Sequence, residues 1–166
     1  MSRVYAAVLV THLPILAALL LPQGRSRVSS EPVAGLVALL LISLVVAATV
    51  LCPVACARVA PDGDRWHQGN ALSQVRAYRR TDRRGYLWRL AELVILYTLA
   101  QCLGGLVAWM LPYIWDNPSY GTDPAADRWV FHYGRFAVQA VTLYVSVCVA
   151  FTWFACRLRQ VAPPAH

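Results

Sequence analysis

The sequence contains no lysine; all fifteen of its basic residues are arginine. Lysine modification therefore has no target here, and a GC-rich coding bias accounts for the same pattern. Acidic residues are scarce too, eight against those fifteen. Charged residues make up 14% of the chain, well below the quarter usual in soluble domains. There is no Gly-rich phosphate loop, no nucleophile elbow, no zinc-protease helix and no Cys-x-x-Cys pair, so the common signatures of nucleotide, hydrolytic and thiol-redox chemistry are absent. The five cysteines are Cys52, Cys56, Cys102, Cys148 and Cys156. None lies in the segments assigned below to the outer side, which argues against an extracytoplasmic disulfide framework.

What the chain has in abundance is apolar surface. Hydrophobic residues make up 58% of 166, with a mean hydropathy of +0.49. That is the composition of a multi-pass membrane protein with room for one domain. The net charge of +7 does not point to nucleic acid, because the arginines cluster beside apolar runs. There they act as orientation signals and as contacts for anionic lipid headgroups.

The expected fold is all-α, with four spans in two antiparallel hairpins at about residues 4–21, 33–57, 86–114 and 129–156. A cleaved signal peptide is the rival reading of the first run. It is longer than a typical signal core, however, and no small-x-small site follows it. Pro14 and Pro53 remove backbone donors inside spans 1 and 2, leaving the carbonyls of Val10 and Thr49 without their helical partners. Asp123 followed by Pro124 reads as the cap and first position that lead into span 4. The tail, with Pro163-Pro164, is expected to fray.

Two loops set the orientation. Residues 58–85 carry seven arginines against three aspartates, including Arg76, Arg79, Arg80, Arg83 and Arg84. A short amphipathic helix capped by Asn70 and running through about Arg84 would turn Leu72, Val75 and Tyr78 one way and its arginines the other, on the membrane surface. Residues 115–128 carry Asp116, Asp123 and Asp127 against Arg128 alone. Both termini and the basic loop are thus expected in the cytoplasm of a cell-membrane protein, with the acidic loop outside. Arg25 and Arg27 in the short first link run against that rule.

Span 4 carries the most informative side chains. His132, Arg135, Gln139, Thr142 and Ser146 recur at three- and four-residue steps and form one polar helical face. Polar groups avoid lipid, so this face is expected to point into protein, either as hydrogen-bonding interhelical packing or as a polar half-channel. Arg135 requires an acidic partner such as Asp127, or access to the outer interface. Glu92 near the start of span 3 reads as an i,i+3 partner of Arg89 or as an ion-coupled carboxylate. Ala48, Cys52 and Cys56 on span 2, and Gly104 with Gly105 on span 3, are small enough to allow close helix approach.

No cofactor or metal is expected. His12 and His132 are offset by roughly 10–15 Å along the spans, too far apart to share one haem iron. His12 is expected to bond a freed carbonyl or another span, and Cys-x3-Cys without clustered histidines is a weak metal signal. The leading expectation is a non-enzymatic accessory or assembly subunit acting through helix contacts, as a homo-oligomer or beside a larger membrane protein. A small oligomeric transporter or channel with its path along span 4, and a membrane redox or enzyme subunit, are the alternatives. The topology makes a direct prediction: Ser119→Cys and Ser73→Cys should react with impermeant thiol reagents from opposite sides of sealed membranes. Equal labelling from one side would overturn the hairpin arrangement.

Overall fold

In the computed structural model of the chain, which describes residues 1–161, most residues are helical. The helices are α1 (Ser2–Thr11), α2 (Leu13–Leu19), α3 (Glu31–Val59), α4 (Ala71–Thr81), α5 (Arg83–Met110) and α6 (Tyr133–Val161). Two short strands, β1 (Ile114–Asp116) and β2 (Trp129–Phe131), pair antiparallel with Trp115 opposite Val130. Helices α3, α5 and α6 are each long and apolar enough to cross a membrane. Helices α1 and α2 meet at a 54° bend and pass the same test only when taken together. The tail with Pro163-Pro164 lies outside the described residues.

The local sequence explains most of the boundaries. Ser30 is extended, Glu31 sits in the first turn of α3, and Pro32 occupies a position where its missing N–H costs nothing. Deeper in α3, the Thr49 carbonyl that Pro53 leaves without a donor lies 3.4 Å from the Cys52 thiol, which donates to it. Between α1 and α2 the break falls at His12, two residues before Pro14. Asp82 ends α4 and caps α5, its carboxylate accepting from the Gly85 amide at 2.8 Å. A Cβ at 85 would meet the Asp82 carboxylate and the Tyr78 hydroxyl, so a larger residue there would have to push the capping side chain aside.

Four sequence expectations change. The helix expected to reach Arg84 stops at Thr81, because Asp82 starts a new helix instead of continuing the old one. Asn70 precedes α4 without capping it. Its side chain accepts from the His67 amide at 2.8 Å and donates to the Asp64 carbonyl at 2.7 Å, which ties the preceding turn together. Residues 111–114 and 129–132 are not helical: Pro112 cannot continue α5, and the chain pairs as β1–β2 instead. Asp123-Pro124 opens no helix; the Asp123 carboxylate accepts from the Ala125 amide at 3.0 Å and closes a turn.

Helix α6 is the centre of the bundle. It packs most extensively on α5 and also on α3, α1 and α2, whereas α3 and α5 make no close packing with each other. Phe136, Tyr144, Val147, Phe151, Phe154 and Leu158 of α6 are all buried. Tyrosine hydroxyls bind the first hairpin to it. Tyr144 donates to the Leu9 carbonyl, Tyr5 to the Val145 carbonyl at 3.3 Å and Tyr133 to the Leu20 carbonyl at 3.3 Å. Trp66, in the turn before α4, is completely buried in the same apolar cluster as Ala71 and Tyr78.

The two adjacent glycines of α5 have different surroundings. A Cβ at Gly104 would sit 3.2 Å from Leu143 of α6, whereas nothing lies within 4 Å of one at Gly105. Gly104→Leu should therefore overpack the α5–α6 contact and destabilise the fold by about 1–3 kcal/mol. Gly105→Leu should leave the melting temperature of the purified protein unchanged or slightly raised. Equal losses from both would show that Gly104 has no special role in α5–α6 packing.

Candidate functional site

One end of the bundle gathers the start of α1, the end of α3, α4, the start of α5 and the end of α6. This basic end holds the densest charge cluster that bridges two long helices. Glu92 of α5 accepts from Arg89 Nη1 at 2.5 Å, one turn back on its own helix. Its other oxygen accepts from Trp153 Nε1 of α6 at 3.3 Å and lies 3.5 Å from Arg157 Nε. The Arg157 guanidinium also sits over the Trp153 ring, 5.8 Å from its centroid. The carboxylate thus joins α5 to α6 with two arginines and an indole around it. Its side chain keeps 34% exposure. Trp153 and Arg157 were not singled out in the sequence, although their four-residue spacing and shared depth with Glu92 carry the signal.

The arginines of α4 and of the first turn of α5 are open. Arg76, Arg79, Arg80, Arg83 and Arg84 are all exposed, with Arg79 over the Tyr86 ring at 5.9 Å. A cavity of about 620 Å³ lies at the same end between the starts of α1 and the ends of α3 and α6, with Arg3, Arg157 and Arg159 in its wall.

The polar face of α6 does not stay together as one environment. His132 and Arg135 are exposed at the opposite, hairpin end. Arg135 Nη1 donates to the Pro112 carbonyl at 3.0 Å, and its guanidinium lies over the Trp115 ring at 5.6 Å. Its partners are therefore a carbonyl and an indole face, not Asp127. Thr142 and Ser146 are half-buried and bond back along their own helix, to the Val138 and Thr142 carbonyls at 2.8 Å each. Gln139 is 9% exposed, and its side-chain oxygen has no hydrogen-bond partner.

The same hairpin end explains Arg25 and Arg27. Arg25 lies over the rings of Tyr113 and Phe136, at 5.5 and 5.8 Å, and Arg27 over Trp129 at 4.3 Å. Both arginines of the first link are thus stacked on aromatic side chains from the second half of the chain. Such contacts contribute about 0.5–1 kcal/mol each at exposed sites.

His12 is buried 3% exposed, with Nδ1 2.8 Å from the Val8 carbonyl and Nε2 3.4 Å from the Ala48 carbonyl of α3. Its ring packs on Phe151 at 5.1 Å. Phe151 is nineteen residues along α6 from His132, or roughly 28 Å of helix, so the two histidines share no site. Among the described residues, no three of His, Cys, Asp and Glu gather into a metal-sized group.

The small-residue stripe of α3 is turned inward. Ala48, Cys52 and Cys56 are buried within the main apolar cluster, so this chain's own helices occupy the face. The open face lies elsewhere. Between α3 and α5, with α6 at its base, runs an apolar cleft of about 370 Å³. Ile42 and Val46 line it from α3, Tyr97 and Gln101 from α5, Leu143 and Val147 from α6, and Ile15 and Leu19 from α2. Gln101 is exposed, and Gly105, one turn on, is exposed with open space above it.

Compared with protein-family models, curated proteins and solved structures, the chain matches none. The Glu92 cluster makes its own prediction. In a double-mutant cycle on the purified protein, Glu92→Ala and Arg157→Ala should couple by about 1 kcal/mol of stability. Strictly additive losses would mean that the contact does not fasten α5 to α6.

Proposed function

We propose that this chain is a four-span protein of the cell membrane that acts as an accessory or assembly subunit through helix–helix contacts. In this reading α1 and α2 form one bent span and α4 lies on the cytoplasmic face. The basic end is cytoplasmic and the β1–β2 end is outside. The charge balance supports the orientation: residues 58–85 hold seven arginines and three aspartates, and residues 115–128 three aspartates and one arginine. The aromatic stacking of Arg25 and Arg27 supplies a local reason for two arginines on the outer side.

The observation that carries the assembly role is the cleft between α3 and α5. At bilayer depth an exposed carboxamide is costly beside lipid tails and favourable against another helix. Gln101 provides that carboxamide, and the bare backbone at Gly105 lets a helix approach closely. The partner is a second copy of this chain or a larger membrane protein. Transport along α6 draws less support, since Thr142 and Ser146 already bond to their own helix and demand no water-filled path.

The test uses Gln101→Leu and Gly105→Leu. Both should weaken co-purification from native membranes, or self-association in mild detergent, by about tenfold, which corresponds to about 1.4 kcal/mol. In sealed liposomes both variants and the parent should leave ion flux at background. Unchanged association together with a flux that Arg135→Ala or Gln139→Leu abolishes would instead establish transport.

A further inference from the structure

A second concavity lies under α4, at the basic end. It has a volume of about 340 Å³. Val50 and Pro53 of α3, Leu72 and Val75 of α4, and Phe154 and Leu158 of α6 make it apolar. Arg76 and Arg79 also line it, one helical turn apart on α4, with Tyr86 of α5 beside them. The combination is an apolar trough with two cations on one wall.

Those two cations lack acidic partners. The ion pairs among the described residues are Arg65 with Asp62 and Arg89 and Arg157 with Glu92, so neither Arg76 nor Arg79 is ion-paired. Arg76 spends only Nε, on the Leu72 carbonyl of its own helix at 3.3 Å, which leaves its two terminal nitrogens free. Arg79 leans over the Tyr86 ring, an arrangement that fixes the guanidinium plane without neutralising it. At i,i+3 spacing the two guanidiniums lie on one side of the helix and can hold one phosphate between them.

We infer that this groove is a site for one anionic phospholipid, with its phosphate between Arg76 and Arg79 and an acyl chain against Val50, Leu72 and Val75. The inference rests on the placement of α4 at the cytoplasmic interface and is independent of the assembly role. A free phosphate satisfies the arginines but leaves the apolar trough exposed. A phospholipid fills both, and the bilayer presents it at this depth. The open arginines Arg80, Arg83 and Arg84 do not line the groove, so they add long-range attraction without selecting a bound molecule.

The experiment is a titration of delipidated full-length protein in mild detergent, read by native mass spectrometry. Phosphatidylglycerol should bind as a single retained adduct, and phosphatidylcholine more weakly. Arg76→Gln and Arg79→Gln should each lower phosphatidylglycerol affinity about fivefold, the equivalent of about 1 kcal/mol per arginine. The Arg83→Gln/Arg84→Gln double variant should bind like the parent. Val75→Trp, which fills the groove and keeps both charges, should also reduce retention. Equal losses from the 76/79 and 83/84 pairs would overturn the site in favour of general loop charge. Displacement of the lipid by millimolar inorganic phosphate, with Val75→Trp without effect, would overturn the lipid as occupant and leave a soluble-anion site. Labelling at Ser73→Cys reports the placement of α4 separately, so a wrong topology and an absent lipid site give different results.

Discussion

The bundle depends on how polar groups inside long apolar helices are satisfied. An unpaired hydroxyl or carbonyl in such surroundings costs several kcal/mol when no water reaches it. The chain meets this constraint mostly with short-range partners. Thr142, Ser146 and Thr152 bond the carbonyl four residues back, and the Cys52 thiol serves the carbonyl that Pro53 leaves free. The longer-range bonds are more consequential, because they fix which helix lies beside which. Tyr144 to Leu9 and Tyr5 to Val145 connect α1 with α6 through backbone carbonyls, which no side-chain substitution on the acceptor can remove. Those carbonyls are acceptors at fixed heights along their helices, so the bonds set axial register as well as proximity.

At its two ends the molecule uses arginine differently. At the basic end, guanidiniums of α5 and α6 share one carboxylate, Glu92, which also accepts from the Trp153 indole. At the hairpin end, arginine is held by ring faces and carbonyls: Arg25 by Tyr113 and Phe136, Arg27 by Trp129, and Arg135 by Trp115 and the Pro112 carbonyl. A weakly hydrated planar cation suits both settings, where an ammonium group would stack poorly and keep its water. The absence of lysine thus has a structural correlate, whatever its genetic origin. The hairpin-end contacts also unite halves of the chain that are far apart in sequence, and the aromatic partners depend on Pro112 ending α5 so that β1 and β2 can pair.

The long helices were legible because their apolar runs are long and their turns carry prolines and charges. The proline effects were local enough to read as well: Pro14 near the α1–α2 break and Pro53 over Thr49. The ends of the spans were less legible. Periodicity alone does not distinguish helix from strand in a run as short as Trp129–Phe131, and hydropathy carries straight across Pro112. Asp82 was visible as a charge, not as a cap, because its role depends on Gly85 three residues on. Of the candidate site, the i,i+3 relation of Glu92 and Arg89 was visible in spacing, while Trp153 and Arg157 required knowing that α6 returns to the same depth. The small-residue stripe of α3 was visible as a packing face, but its partner was not. Sequence spacing gives the shape of a helix face and says nothing about whether the same chain covers it.

That last distinction decides which helix faces stay open. Ala48, Cys52 and Cys56 are already consumed by α1 and α6, and Gly104 by Leu143. What remains uncovered on α5 is the face one residue round, with Gln101 and Gly105, beside a cleft that α3 does not close. A bundle in which α6 touches every other long helix, while α3 and α5 stand apart, has no internal means of closing that gap. Moving α3 toward α5 would pull Ala48 off His12 and open the α1 contact. The cleft is therefore a consequence of the contacts that hold the first hairpin in place. Its wall carries the Gln101 carboxamide, while Leu143 and Val147 are what α6 contributes to it. On that wall the exposed Gln101 side chain pairs with Tyr97 one turn back, so the cleft stays open because of how the helices are placed and not because a polar group there lacks every partner.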